Sequence, residues 1–206
     1  MISPRERHWE NIYSTKLSDE VSWYQSNPSM SLRLIQSVAA LDDALVDVGG
    51  GASLLVDRLL AKSFADLTVV DISAHALDRV HDRLGGKTNT VQLIHSDVLT
   101  WRPDRTFKIW HDRAVFHFLT DSDDRDQYVS LAEKGIEVGG YLILATFALD
   151  GPTQCSGLDI CQYDAAGLAD QFARGFVLTQ SETEKHITPS GGTQSFTWAV
   201  LQRVVK

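Results

Sequence analysis

The sequence predicts an α/β domain in which a mostly parallel sheet is covered by helices on both faces, three layers in all. Three observations carry that expectation. Short apolar runs alternate with amphipathic helical stretches, the first apolar run breaks into three glycines, and only the tail changes to two extended segments joined by a turn. Strands separated by helices need crossover connections, which are right-handed in nearly all sheets and leave helices on either side.

The elements follow in order. Ser3-Pro4 is a serviceable cap and first-turn pair, and Trp9, Ile12 and Tyr13 come after it at helical spacing, so residues 4–16 read as a short amphipathic helix. A polar, aromatic loop, "SDEVSWYQSNPS", leads to "MSLRLIQSVAAL", where the helical period resumes up to Asp42-Asp43. "ALVDVGGGAS" reads as a buried strand entering a turn, "ASLLVDRLLAK" as a helix, and "LTVVDIS" as a second strand closed by an acid and a small polar cap. "AHALDRVHDRL" is helical, "VQLIHSDV" a third strand, and "FKIWHDRAVFHFL" a fourth strand running into a helix start. "RDQYVSLAEKGIEV" predicts a helix stopped by Gly139-Gly140, and "YLILATFAL" a fifth strand. "AAGLADQFA" is a helix, and "FVLTQSETEKHIT" and "FTWAVLQRV" are strands joined by "PSGG" as a hairpin at the sheet edge.

Composition bounds the function. At 206 residues, 43% hydrophobic and 22% charged, the chain suits one cored globular domain, with residues 1–40 as a helical and aromatic cap. Twenty-seven acids against 19 bases give a net charge of −8, which opposes a nucleic-acid footprint and favours a cationic small molecule. The start lacks the apolar stretch of a signal peptide and no run is long enough for a membrane span, so a cytoplasmic, monomeric protein is the default expectation. Cys155 and Cys161 form neither a disulfide framework nor a metal-ligand spacing, and read as small buried residues; no metal is expected.

The glycine turn after the first strand is where an open α/β sheet takes its ligand. A dinucleotide fingerprint would need a third glycine where this chain has Leu54, and Asp47, two residues before the first glycine, is a poor neighbour for a pyrophosphate. That acid suits an ammonium or a sulfonium. Asp71 ends the second strand 20 residues after Gly51, where a carboxylate accepts from both ribose hydroxyls of either kind of ligand. Taken singly, Asp71 also suits a helix cap and Asp97 a turn.

With those residues in place, nearly all of the chain resembles the class I S-adenosylmethionine-dependent methyltransferases. Their first motif, acid-x-Gly-x-Gly-x-(Gly/Ser), is matched by Asp47 to Ser53 through Gly49 and Gly51. The resemblance implies that Asp47 contacts the methionine end of the cofactor, the glycines let backbone approach it, Asp71 with Ile72 holds the ribose, and Asp97 with Val98 in "SDV" holds the adenine. It also implies a seven-stranded sheet with a reversed C-terminal strand.

Within that family, the acid-Arg-Ala step at Asp112-Arg113-Ala114 is similar to the thiopurine S-methyltransferase group and its relatives acting on selenium or tellurium compounds. Trp9, Tyr13, Trp23, Tyr24 and Gln25 fall in that group's N-terminal aromatic places, though this loop is longer, and the stretch from Asp150 to Phe172 resembles its substrate loop. The resemblance implies a small-molecule acceptor with a soft nucleophile, Arg113 as a cofactor contact, and Asp112 as a proton handler or the partner of Arg113. Trp23 and Tyr24 become candidate acceptor contacts. Rings at 9, 13 and 23 suit the faces of a sulfonium, while Trp9 and Tyr13 equally suit an amphipathic stripe on the core. His117 reads as a core histidine rather than a base. The alternatives are a protein lysine methyltransferase of the same fold, whose N-terminal segment is similar, and a non-catalytic cofactor-binding or NAD-binding module.

Overall fold

The computed structural model describes residues 2–205. Six α-helices are α1 (Pro4–Thr15), α2 (Ser29–Val38), α3 (Leu55–Ala61), α4 (Ala74–Leu84), α5 (Ser122–Gly135) and α6 (Ala165–Phe172). The strands are β1 (Leu45–Val48), β2 (Leu67–Asp71), β3 (Val91–His95), β4 (Phe107–Arg113), β5 (Ile136–Phe147), a small hairpin of β6 (Gln154–Cys155) and β7 (Leu158–Asp159), then β8 (Phe176–Ile187) and β9 (Thr193–Arg203). Seven of them form one sheet in the order β3-β2-β1-β4-β5-β9-β8. β1 to β5 pair parallel, and β9 alone is reversed, antiparallel to both β5 and β8. The Rossmann-like sheet and its reversed C-terminal strand are as expected.

Parity along the strands sorts the core into two layers. Leu45 of β1, Ile109 of β4 and Ile143 of β5 face the layer built with α2, α3 and α4. Val46, Val48, Trp110, Leu142 and Leu144 face the opposite layer, built with α5 and α6. Phe107 belongs with Trp110 although their numbers differ by an odd step, because the β4–β5 register shifts between Phe107 and Ile109. The edge strand β8 alternates exposed with less exposed residues, and Lys185 is the one charged residue of its exposed face.

Two boundaries differ from the sequence reading. The helix expected to stop at Gly139-Gly140 ends at Gly135, and the strand runs from Ile136 straight through the glycines. Gly135 must be small because an added Cβ would lie 2.5 Å from the Trp110 ring, and Gly140 because one would lie 2.7 Å from the Lys108 carbonyl. The helix expected after β4 is a single 3₁₀ turn, Phe116–Phe118. The Ser3 cap is formed as its sequence suggests, Oγ accepting from the Glu6 N–H at 3.0 Å.

Candidate active site

The strand order reverses between β1 and β4, and a cleft opens above their carboxyl ends. Gly49 (φ +64°) lines it, and Gly51 (φ +45°) stands in the same turn, both in the left-handed region that glycine tolerates. A Cβ on Gly51 would lie 2.6 Å from the Tyr13 hydroxyl and 3.0 Å from Asp71 Oδ2, so its absence keeps the space before that carboxylate open.

Asp71, Ile72, Asp97 and Val98 all line this cleft. Asp71 Oδ1 accepts from the Ser73 N–H at 2.8 Å, and burial pushes its carboxyl up to about 7 against the opposing pull of the Ser73 and Gly51 amides. Asp97 Oδ1 accepts from the Leu99 N–H at 3.0 Å, while its other oxygen is 3.4 Å from Arg5.

Helix α1 crosses the mouth. Arg5, Trp9 and Tyr13, four residues apart along one helical face, line the cleft together with Trp23. Trp9 meets Trp23 edge-on at 5.8 Å and Phe118 at 5.1 Å between centroids, and Tyr13 meets Trp23 at 6.3 Å. The helix is fastened by polar groups: Arg5 reaches Asp124 at 2.8 Å, Glu10 accepts from the Ala74 N–H at 2.5 Å and pairs with His75, and Arg79 donates to the Tyr13 and Lys16 carbonyls. Arg5 has no place in the sequence reading. Its signal was its spacing from Trp9 and Tyr13.

Asp47 is buried on the core side of the glycine turn and is not among the cleft-lining residues. Its Oδ1 is 2.7 Å from His111 Nδ1, and His111 Nε2 is 3.0 Å from Ser31 Oγ. A Cβ on Gly50 would lie 2.7 Å from Asp47 Oδ2, so the carboxylate braces the turn from beneath.

Asp112 is corrected by the structure. Alternation along β4 sends it to the α5 layer, away from the cleft, where it is fully buried. Oδ2 accepts from the Tyr128 hydroxyl at 2.5 Å and Oδ1 from the Val115 N–H at 2.8 Å, and burial raises its carboxyl to about 6. It caps the turn after β4, and no hydrogen bond joins it to Arg113. Tyr24 is likewise placed elsewhere, beside a separate surface groove with Gln25 and His186.

Arg113 does line the cleft. Its Nη1 donates to the Trp23 carbonyl at 3.0 Å and its guanidinium lies 4.6 Å from the Phe196 ring centroid. Nε and Nη2 are shut off from solvent with no partner among the described residues. Burial lowers the group to about 10. His117 is buried behind the site, accepting through Nδ1 from the Phe147 N–H at 3.4 Å, and burial with the nearby Arg113 charge drops it to about 3.

No helix among the described residues is long and apolar enough to cross a membrane, and no group of three or more His, Cys, Asp or Glu among them is arranged to hold a metal.

Residues 45–140 match a family model described as a methyltransferase domain. The fold is that of the S-adenosylmethionine-dependent methyltransferases. The structure of the N-methyltransferase NodS from Bradyrhizobium japonicum, solved with S-adenosyl-L-homocysteine, superposes with a TM-score of 0.74 at 16% identity, covering 94% of this chain and 97% of that one. A methyltransferase from Anabaena variabilis gives 0.74 at 14% identity, covering 98% and 96%. Among curated proteins, the mouse eEF1A lysine and N-terminal methyltransferase is 24% identical over 148 residues, 68% of this chain, which spans only 21% of that relative's length.

Proposed function

We propose that this chain transfers the methyl group of S-adenosylmethionine to a small-molecule acceptor bearing a soft nucleophile. One observation carries the reading: a positive-φ glycine turn and two strand-end carboxylates, Asp71 and Asp97, line a single cleft at the switch point of the sheet. In that cleft Asp71 accepts from the ribose hydroxyls, Asp97 from the adenine amine, and Ile72 and Val98 pack beside the base. Gly49 and Gly51 admit the methionine end, and Asp47 lends it negative potential from beneath the turn. Trp9, Tyr13 and Trp23 present ring faces to a cation. When bound, the cofactor supplies a methyl group on a positively charged sulfur. The chain's own part is to align the acceptor, exclude water and hold the cofactor's charge.

The likeness to the thiopurine S-methyltransferase group, from which the soft acceptor is taken, rests on the Asp112-Arg113-Ala114 step and the N-terminal aromatics. A second reading, methylation of a protein amine, is favoured by the mouse relative. Calorimetry tests the cofactor: S-adenosylmethionine should bind in the micromolar range and Asp71→Ala should abolish or badly weaken it, whereas tight binding of NADH with no response to S-adenosylmethionine overturns the reading. Methyl transfer to a panel of thiols, selenite, tellurite, halides and protein extracts then separates the acceptors.

A further inference from the structure

The loops that carry the two cleft acids are tied to each other. The Ser96 N–H donates to the Asp71 carbonyl at 2.9 Å, which sets the end of β3 against the end of β2. The Asp97 carbonyl closes the next turn, accepting from the Thr100 and Trp101 N–H groups at 3.0 and 2.9 Å, and Gln127 of α5 donates to the Leu99 carbonyl at 2.5 Å. The backbone under Asp97 is therefore fixed. Its carboxylate is held by that loop at one oxygen only, Oδ1, through the Leu99 N–H.

The other oxygen, Oδ2, meets Arg5 Nη1 at 3.4 Å, and Arg5 Nη2 is anchored on Asp124 of α5 at 2.8 Å. Among the described residues, four charged side chains line the cleft, Arg5, Asp71, Asp97 and Arg113, and Arg5 is the cation beside the end of β3. Arg113 stands at the end of β4 and donates to the Trp23 carbonyl, while Arg102 is turned to the Leu99 and Trp101 carbonyls. The two Arg5 distances are unequal. The short bond belongs to Asp124, so α5 holds the guanidinium in place, and at 3.4 Å it steers Oδ2 without using up that oxygen's acceptor capacity.

We infer that Arg5 is a positioning residue for the adenine end of the cofactor: it turns Asp97 Oδ2 toward the 6-amino group and makes selection of adenine depend on the seating of α1. This rests on the cofactor reading above, in which Asp97 accepts from that amine. A carboxylate fixed at one oxygen still swings about its last torsion, and an incoming amine must then orient it at the expense of affinity. Arg5 supplies the orientation beforehand. Because it shares a helical face with Trp9 and Tyr13, the same contact links the adenine end of the cleft to the aromatic rings at its mouth. The linkage is reciprocal: an adenine engaged by Asp97 also favours the seated helix.

The test compares S-adenosylhomocysteine with its 6-deamino analogue, in which purine replaces adenine, by calorimetry on the whole chain. Wild type should prefer the amine by about ten- to hundredfold, the worth of one hydrogen bond to a charged group, and Asp97→Ala should remove that preference. Arg5→Met, which keeps the apolar stem, should cut the preference to about threefold or less while binding the deamino analogue nearly as wild type does. Glu10→Gln loosens α1 at its bonds to Ala74 and His75, and should weaken both ligands alike with the ratio unchanged. If Arg5→Met keeps the wild-type ratio, Arg5 is only a fastener of α1, and the inference is overturned while the cofactor reading stands. An equal loss of ratio in Glu10→Gln overturns it too. A preference that survives Asp97→Ala, or is missing from wild type, takes the adenine assignment down with it, and failure of wild type to bind S-adenosylhomocysteine at all defeats the methyltransferase reading. Should Arg5→Met not fold, Asp124→Asn serves: it weakens the anchor of the guanidinium and should lower the ratio in the same direction, an unchanged ratio counting against Arg5.

Discussion

The carboxylate of Asp47 and the imidazole of His111 are partners in register on neighbouring strands β1 and β4, joined Oδ1 to Nδ1 at 2.7 Å and shielded from solvent on the core side of the glycine turn. Removing one member of a buried pair leaves the other charge uncompensated. His111→Ala should therefore destabilise the protein by about 3 kcal/mol, read from urea unfolding, and Ser31→Ala by about 1 kcal/mol, since only the outer hydrogen bond is lost. Cofactor affinity should fall in His111→Ala as well, because Asp47 braces Gly50. Unchanged unfolding and binding would show that the pair is not a support of the turn.

Asp71 should make cofactor binding pH-dependent. Its folded value, raised by burial from 3.8 to about 7, means that the folded protein without cofactor holds a proton that the unfolded chain releases above about 4. This group's contribution to stability thus falls as pH rises from about 4 to 7. Asp112, raised to about 6, adds the same sign, and His117, lowered to about 3, adds the opposite one between about 3 and 6.5. The difference between wild type and Asp71→Asn isolates the Asp71 slope. Ribose hydroxyls donating to the carboxylate favour its ionised form, so cofactor affinity should rise from pH 6 to 8, with proton release seen by calorimetry in buffers of different ionisation enthalpy.

Asp112→Asn should act on stability rather than on chemistry. The amide keeps an oxygen for the Val115 N–H and gives up the charge-assisted bond from Tyr128, a loss of about 1–2 kcal/mol. Turnover per folded molecule should stay within about threefold of wild type, far less than the 10²–10⁴-fold loss typical of a general acid or base. A hundredfold drop in kcat with unchanged stability would restore the carboxylate to the chemistry.

Gly51→Ala should cost about 1–2 kcal/mol for its left-handed backbone alone. The added carbon would also press on the Tyr13 hydroxyl and Asp71 Oδ2. Cofactor affinity should drop more than tenfold, measured by calorimetry, and an alanine variant that binds normally would show that the space before Asp71 is not used.

Much of this was legible in the chain itself. Gly49 of the glycine turn, Asp71 and Asp97 come together at one cleft because strand ends in an open α/β sheet converge on one crevice, so three local patterns suffice to locate it. Asp112 was not legible. Adjacent residues on a strand face opposite layers, so an Asp-Arg step divides its members between them; which one reaches the cleft depends on the face α5 covers and on the bulge that resets the parity of β4 near Phe107. Asp47 was found as an acid at the turn, but its turning inward depended on His111 standing opposite, a pairing 64 residues away in sequence. Gly139-Gly140 misled as a helix stop because glycines that relieve crowding between strands look the same as glycines that end helices.

Helix α1 is fastened to α4, to α5 and to the Asp97 loop by side chains from residues 5 to 10, with Arg79 gripping its far end. The roof of the cleft is therefore held by partly exposed polar contacts, each cheap to break on its own, together with the buried Tyr13, which packs with Ala52 and Ala76. If exchange of spent for fresh cofactor requires that roof to lift, the rate of lifting sets a ceiling on how fast the site can be reused.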